Sequence, residues 1–294
     1  MRALIAVDWG TSSLRAARIA ADGTVLEARS SSRGILTVPA GGFPEVLEQT
    51  CGDWLRDGTL CLVSGMAGSR QGWREAPYCA CPAGFVELGR SLAWITPKRV
   101  ALVPGLSCEH HGVPDVIRGE EVQVFGALSL LGLQDGMFVL PGTHSKWVQV
   151  EGGAVRTFST CMTGEVYALL RQHSIIARTL PAEDGELQED AFVRGVRHAA
   201  VAGSLLQSAF SARTLSLFDR MEAAPLASYL SGLVIGEELR AQPQLPAEVV
   251  LIGSPALTAR YALALRTRDV ATRSLGSEAT WRGLWSLASN LELA

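Results

Sequence analysis

A polar segment near the N-terminus combines the residue types that hold phosphate groups and a metal ion. Residues 8–15 read Asp-Trp-Gly-Thr-Ser-Ser-Leu-Arg between two apolar runs. Gly10 permits a tight turn whose backbone amides face an anion, and Asp8 is placed to hold hydrated Mg²⁺, which binds few carboxylates directly. An ordinary hairpin with a capping aspartate is the alternative. The candidate phosphate-binding residues of this first turn are Asp8, Gly10, Thr11, Ser12, Ser13 and Arg15, with Asp8 also the candidate metal ligand.

A second polar turn follows a later apolar run. Residues 140–146 read Leu-Pro-Gly-Thr-His-Ser-Lys, which is not the order of a Walker A loop. The turn still offers a glycine, two hydroxyls, an imidazole and an ammonium group, and this combination favours phosphate binding over a hairpin with a structural histidine. The candidate residues of this second turn are Gly142, Thr143, His144, Ser145 and Lys146.

Two further positions carry weaker signals. Glu120 and Glu121 stand in the first turn of a predicted helix, where acids complement the helix dipole; the chemical interpretation is that one of them takes a proton from a substrate hydroxyl. Gly253 joins an apolar strand to a helix. That junction suits a flat nucleobase lying on the backbone, and it suits a plain strand-to-helix connection equally well.

Alternating strands and helices must position these residues. Apolar runs predict strands at residues 4–7, 14–19, 25–28, 60–63 and 100–103, and helical spacing predicts helices at 43–55 and 118–131. The strand, turn, strand, turn, strand pattern then recurs at 137–159, with a hairpin turn at Gly152-Gly153. Residues 164–217 and 226–239 are predicted to be mostly helical, before a strand at 249–252 and helices at 255–265 and 276–291. One pattern therefore occurs twice, and the second copy starts near residue 133.

The composition limits the class of protein. The chain has 294 residues, of which 48% are hydrophobic and 19% charged, enough for a buried core and about two domains. Its net charge of −3 argues against a nucleic-acid partner. The six cysteines have irregular spacing and are expected to be reduced thiols. No signal peptide is recognised, and the uncharged stretches are shorter than the roughly 20 residues that span a bilayer. A cytoplasmic protein without membrane contact is expected.

Several segments together resemble the 2-dehydro-3-deoxygalactonokinase family of the acetate/sugar kinase–Hsp70–actin superfamily. They cover almost the whole chain and include AVDWGTSSLRA, SGMAGSRQGWREAPY, PDVIRGEEVQVFGAL and LPGTHSKWVQV. The resemblance implies an α/β fold of two ribonuclease-H-like domains, residues 1–133 and 134–294, with a nucleotide cleft between them. It further implies an ATP- and Mg²⁺-dependent kinase acting on the 6-hydroxyl of 2-dehydro-3-deoxy-D-galactonate, a small sugar acid, and it is compatible with a homo-oligomer.

The resemblance also implies roles by position. The turns at 8–15 and 142–146 correspond to two phosphate loops, and Gly253 to the adenosine segment. By similarity to the acidic pair of exopolyphosphatases, Glu120 is the expected base, with Glu121 and Asp115 as rivals. The second loop departs from the superfamily at Leu140, where an aspartate is common. No second metal-holding carboxylate is therefore expected there, and His144 or Lys146 would offset phosphate charge instead.

The sugar-acid site is expected in the segment 69–71 and at Arg118. Arg70 and Arg118 are candidates for the substrate carboxylate, because a guanidinium pairs with a carboxylate through two hydrogen bonds. Ser69 and Gln71 belong to the same segment. Two other functions are compatible with the motifs: an exopolyphosphatase-like phosphohydrolase of the same fold, and a non-catalytic sugar-acid sensor.

Overall fold

A computed structural model describes residues 3–183, 185–242 and 244–291 of the chain. The described chain forms two compact units. The first contains the residues up to Phe138, Val148–Ser159 and the residues from Leu275 onward; the second contains Val139–Trp147 and Thr160–Ser274. The fold is α/β, as expected. Division of the chain into domains at residues 133 and 134 stays a prediction.

Fourteen strands are present in the described residues. They are β1 (Leu4–Trp9), β2 (Leu14–Ile19), β3 (Val25–Ser31), β4 (Leu60–Ser64), β5 (Tyr78–Ala80), β6 (Ala93–Thr96), β7 (Val100–Leu102), β8 (Gly105–His110), β9 (Val113–Ile117), β10 (Gly136–Leu140), β11 (Ser145–Glu151), β12 (Ala154–Cys161), β13 (Glu248–Ile252) and β14 (Ala271–Leu275).

Ten α-helices accompany them in the same described ranges. They are α1 (Phe43–Leu55), α2 (Phe85–Arg90), α3 (Glu120–Leu131), α4 (Thr163–His173), α5 (Glu189–Val201), α6 (Leu205–Ser208), α7 (Ser211–Leu217), α8 (Ala223–Arg240), α9 (Pro255–Arg266) and α10 (Glu278–Ser289). Short 3-10 helices occur at Ile35–Thr37, Met66–Gly68 and Ile175–Thr179. None of the helices in the described residues is both long and apolar enough to cross a membrane.

The two larger sheets share one strand order. The first runs β3-β2-β1-β4-β7-β6 and the second β12-β11-β10-β13-β14. We leave out the edge strand β6 and number the strands of each sheet in chain order within that sheet. Both sheets then have the order third, second, first, fourth, fifth. The repeat that the sequence predicted as a pattern is therefore confirmed as a shared topology. A third sheet, β5-β8-β9, is formed by segments in which the sequence predicted no strands.

The first sheet explains why its polar residues collect at one edge. β1 pairs with β2 antiparallel and with β4 parallel. The carboxyl ends of β1 and β4 therefore lie side by side, with Asp8 next to Ser64. β1 is almost fully buried, and Ile5, Val7 and Trp9 pack in one core cluster with α1 residues such as Phe43 and Val46. This burial fixes the strand that carries Asp8.

In each unit, two of the described helices are in very close contact. In the first unit, a Cβ on Gly126 of α3 would lie 1.7 Å from the carbonyl oxygen of Ala279 in α10, and a Cβ on Gly283 would lie 1.9 Å from that of Val122. In the second unit, a Cβ on Gly232 of α8 would lie 2.0 Å from the carbonyl oxygen of Phe192 in α5. Glycine is needed where the backbones meet at this distance.

Candidate functional site

Asp8 and Arg15 face each other across the first hairpin. They are register partners at the end of β1 and the start of β2, and the Arg15 guanidinium donates to Asp8 Oδ2. The Asp8 side chain keeps 17% of its surface exposed, and a Cβ on Gly65 would lie 3.3 Å from the other oxygen, Oδ1. The carboxylate is thus held in place and remains open to solvent.

The backbone at residues 34 and 35 packs against the first turn. Its end is closed by a hydrogen bond from Gly10 N to Ser13 O, and Ile35 N donates to Gly10 O. The chain at Gly34 lies so close that a Cβ there would be 2.3 Å from Thr11 O. Residues 11–13 are exposed, and their hydroxyls are therefore available to a ligand.

The start of α3 lies against the end of β4. Gly119 has a φ of +103°, a conformation that suits glycine, and a Cβ on it would be 3.3 Å from Gly65 Cα. The helix begins at Glu120 rather than at the predicted Arg118, because Gly119 turns the chain just before it. Since Gly65 also borders Asp8, the two glutamates open α3 near the end of β1.

Glu120 and Glu121 have different surroundings. Glu120 is half-buried, and one of its oxygens accepts the backbone N–H of Arg118 at 2.9 Å. Glu121 is fully buried; its Oε2 accepts the N–H of Gly119 at 2.7 Å, and its Oε1 has no hydrogen-bond partner among the described residues. Burial, and then the neighbouring Glu120 carboxylate, raise the pKa of Glu121 to about 8.

Arg118 is a buried cation with unused donors. Only 9% of the residue is exposed, its guanidinium lies 4.3 Å from the centre of the Tyr78 ring, and Nη2 donates to Ala76 O at 2.9 Å. In the described part of the chain, Nε and Nη1 have no partner. A buried unpaired donor is costly, so the site is suited to an acceptor such as a carboxylate.

The other predicted substrate residues, and Asp115 as the alternative base, differ widely in their surroundings. The Ser69 hydroxyl is buried and lacks a partner within the described ranges. Arg70 points to solvent, with 86% of its side chain exposed and an ion pair with Glu75 at 3.4 Å, and Gln71 is exposed. Asp115 lies in the middle of β9 opposite Cys108, outside the helix that carries the glutamates. The geometry favours Arg118 over Arg70.

The second turn has an exposed half and a buried half. Thr143 and His144 are exposed, whereas Ser145 and Lys146 are buried. His144 Nε2 lies 2.5 Å from a carboxylate oxygen of Glu165 in the first turn of α4. Gly142 and Thr143 are available to a phosphate, and Ser145 instead donates into the protein interior, to Glu238 at 2.8 Å.

Glu238 is a buried polar residue that was not among the site residues predicted from the sequence. It lies on α8, is 4% exposed, and accepts hydrogen bonds from several hydroxyls and an indole. The feature of the sequence that could have indicated it is a glutamate in a long, mostly apolar helix. Gly253 follows β13, and a Cβ on it would lie 3.6 Å from Pro141 O, so the turns after β10 and β13 lie beside each other.

The structure suggests what kind of metal site is compatible with these residues. The described residues contain no group of three or more His, Cys, Asp or Glu side chains arranged to hold a metal ion. Mg²⁺ commonly binds through one or two carboxylates, water and substrate phosphates. Asp8 fits that mode, with one oxygen taken by Arg15 and the other beside Gly65.

Comparison with known proteins identifies relatives over the full length of the chain. The family model of 2-keto-3-deoxy-galactonokinase matches residues 8–287. The 2-dehydro-3-deoxygalactonokinase of Escherichia coli (strain K12) is 34% identical over 289 residues, which is 97% of each chain. A crystal structure from Sinorhizobium meliloti, provisionally named as a 2-dehydro-3-deoxygalactonokinase, superposes with a TM-score of 0.91 at 34% identity, covering 99% of this chain and 100% of that one.

A more distant structure extends the comparison to the fold alone. Component A of (R)-2-hydroxyglutaryl-CoA dehydratase from Acidaminococcus fermentans has a TM-score of 0.53 at 11% identity, covering 98% of this chain and 96% of that one. The actin-like fold of sugar kinases and related proteins, expected from the sequence, is confirmed.

Proposed function

Because this chain belongs to the 2-keto-3-deoxy-galactonokinase family, we propose that it is an ATP-dependent kinase that phosphorylates the 6-hydroxyl of 2-dehydro-3-deoxy-D-galactonate in galactonate catabolism. The observation that carries the substrate assignment is the buried Arg118 guanidinium, whose Nε and Nη1 have no partner in the described chain. We place the activity in the cytoplasm, where ATP is available and where the six free thiols stay reduced.

The guanidinium of Arg118 holds the carboxylate of the sugar acid. Its stacking on Tyr78 and its bond to Ala76 O fix the plane of the group, so the two unused nitrogens are oriented before the ligand arrives. The buried Ser69 hydroxyl supplies a further donor, and it follows Gly68, on which a Cβ would lie 2.9 Å from Arg118 Nη1. A neutral sugar offers no anionic pair of oxygens to this buried cation, and this is the basis of selection for an acid.

Glu120 takes the proton from the attacking hydroxyl. It is the more accessible of the two glutamates, and its bond to Arg118 N orients the carboxylate. Glu121 is fully buried, and its raised pKa keeps it largely protonated at neutral pH. It supports the Gly119 turn from which Glu120 begins the helix, and it does not repel the anionic substrate.

Each of the two turns has an exposed part that can bind phosphate groups on its own. Residues 11–13 and the pair Gly142-Thr143 offer hydroxyls and amides to solvent. Mg²⁺, when bound, offsets phosphate charge, and Asp8 is the residue that would hold it. The Glu165 carboxylate lies 2.5 Å from His144 Nε2 and so orients the imidazole ring at the exposed part of the second turn.

The deciding experiment is a coupled assay of ADP release over a panel of 2-keto-3-deoxy sugar acids, including the gluconate epimer and a neutral sugar. We expect ADP release with the galactonate derivative and none with the neutral sugar. Glu120→Gln should lower kcat by about 10²–10⁴-fold, the usual contribution of a general base, with little change in ATP affinity.

Glu45→Gln is the matched control, because Glu45 also stands in the first turn of a helix, α1. It should behave as wild type. No ADP release with any sugar acid refutes the kinase assignment. A near-wild-type rate for Glu120→Gln would move the role of base to Glu121 or Asp115.

A further inference from the structure

Glu238 is a carboxylate buried beneath the second turn. Its Oε1 accepts the Ser145 hydroxyl at 2.8 Å and the Trp147 indole N–H at 2.6 Å. Its Oε2 accepts the Tyr261 hydroxyl at 2.6 Å and the Thr163 hydroxyl. All five residues belong to the second compact unit, and the carboxylate joins four of its elements.

Glu238 accepts four hydrogen bonds, two at each oxygen. No cation forms an ion pair with Glu238 among the described residues. A well-packed apolar side chain of similar volume often stabilises a protein as well as a buried carboxylate does, or better. The arrangement indicates a role in specifying local geometry.

That geometry concerns the segments on both sides of the phosphate-binding turn. Ser145 ends the exposed part of the second turn and starts β11. Thr163 starts α4, and the next residue, Gly164, lies so close to the turn that a Cβ on it would be 2.5 Å from Gly142 O. One carboxylate therefore fixes both the turn and the helix end that supports it.

We propose that Glu238 is a positioning residue for phosphate binding: through Ser145 and Thr163 it holds the Gly142–His144 turn and the start of α4 in the arrangement that receives the nucleotide. The inference rests on the proposed function for the identity of the ligand and for the binding of phosphate at the second turn. Glu238 touches no phosphate, because it is buried and its oxygens are fully used.

Two substitutions at this position separate the positioning role from bulk stability. In Glu238→Gln, the amide oxygen keeps the Ser145 and Trp147 bonds, and the amide N–H groups face the hydroxyls of Thr163 and Tyr261, which rotate to accept. Glu238→Leu keeps most of the volume and removes every acceptor. Phe192→Leu, in α5 against α8, is the control for destabilised packing within the same unit.

Mg·ADP binding by calorimetry, at a temperature where each variant is folded, is the main measurement. We expect Glu238→Leu to raise the Kd for Mg·ADP at least tenfold, because small displacements of binding groups produce effects of this size. The Kd of Glu238→Gln should stay within about threefold of the wild-type value. Phe192→Leu should lower Tm and leave the Kd unchanged. In steady-state assays, Glu238→Leu should raise KM for ATP and leave KM for the sugar acid within twofold.

A folded Glu238→Leu protein with wild-type affinity for Mg·ADP would overturn the proposal. If that variant does not fold, Ser145→Ala and Thr163→Ala each remove one hydrogen bond to Glu238 and leave the carboxylate in place. Each should weaken the binding of Mg·ADP. Unchanged affinity in both variants overturns the proposal. A wild-type protein that binds Mg·ADP and phosphorylates no sugar acid would refute the proposed function alone.

Discussion

Glu121 makes the stability of the first unit depend on pH. The side chain is fully buried, and one oxygen has no partner in the described chain. Its pKa rises from 4.5 to about 8 on folding. The folded state therefore binds this proton more tightly than the unfolded state, and stability falls as pH rises between these two values. Glu121→Gln removes the titration and keeps a neutral side chain that accepts from Gly119.

The size of the pH effect on stability follows from the difference between the pKa values of Glu121 in the unfolded and folded states. At about 1.4 kcal/mol per pKa unit, the full penalty for ionising Glu121 in the folded state is about 5 kcal/mol. Between pH 5.5 and pH 8.5 the linkage relation gives a loss of about 3 kcal/mol for wild type relative to Glu121→Gln. The difference is large against a total stability of about 5–15 kcal/mol.

Urea denaturation at pH 5.5, 7.0 and 8.5 measures the effect, with Glu45→Gln as a control for an exposed helix-start acid. The free energy of unfolding of wild type and of the control should fall with pH more steeply than that of Glu121→Gln. Parallel curves for wild type and Glu121→Gln would refute the reasoning, since they would show that Glu121 does not titrate on unfolding in this range.

Three further predictions test other parts of the structure. Gly126→Ala places a Cβ 1.7 Å from a backbone oxygen of α10 and should destabilise the protein by about 3 kcal/mol. In Gly52→Ala the atoms nearest to the new Cβ belong to the exposed, movable side chain of Glu48, so stability should hold or rise by up to about 1 kcal/mol; equal Tm values for the two variants would contradict this. Arg118→Lys should raise KM for the sugar acid roughly ten- to a hundredfold, the value of a charge-assisted hydrogen bond, with KM for ATP unchanged; an unaltered sugar-acid KM would exclude the carboxylate contact. Asp8→Asn should shift the Mg²⁺ titration of activity to higher concentration, and an identical titration would remove Asp8 from the metal site.

Much of the fold could be predicted from local patterns. β2 and α1 have the predicted bounds, 14–19 and 43–55, because alternation and helical spacing reflect which face of a segment is buried. The strand and turn pattern also occurs twice in the sequence, and in the structure each copy forms part of a sheet with the same strand order. These features depend on residues close together in sequence.

Other features depend on contacts that a local pattern does not contain. The sheet β5-β8-β9 was missed because many of its residues are exposed, with polar residues such as Glu109 and His110 among them, and its strands therefore lack a continuous apolar run. The Ser145–Glu238 bond joins residues 93 positions apart. The sequence placed Ser145 in a phosphate loop, and only the packing of α8 shows that its hydroxyl points inward.

The close contact of α3 with α10 has a consequence for the synthesis of the chain. Gly126 meets its partner only at residues 279–283, so on the ribosome α3 emerges long before the helix that covers it. The first unit completes its packing only after the whole sequence of the second has been made. Until then the nascent chain exposes the apolar side of α3, and a product that stops before α10 is a candidate for chaperone binding and proteolysis.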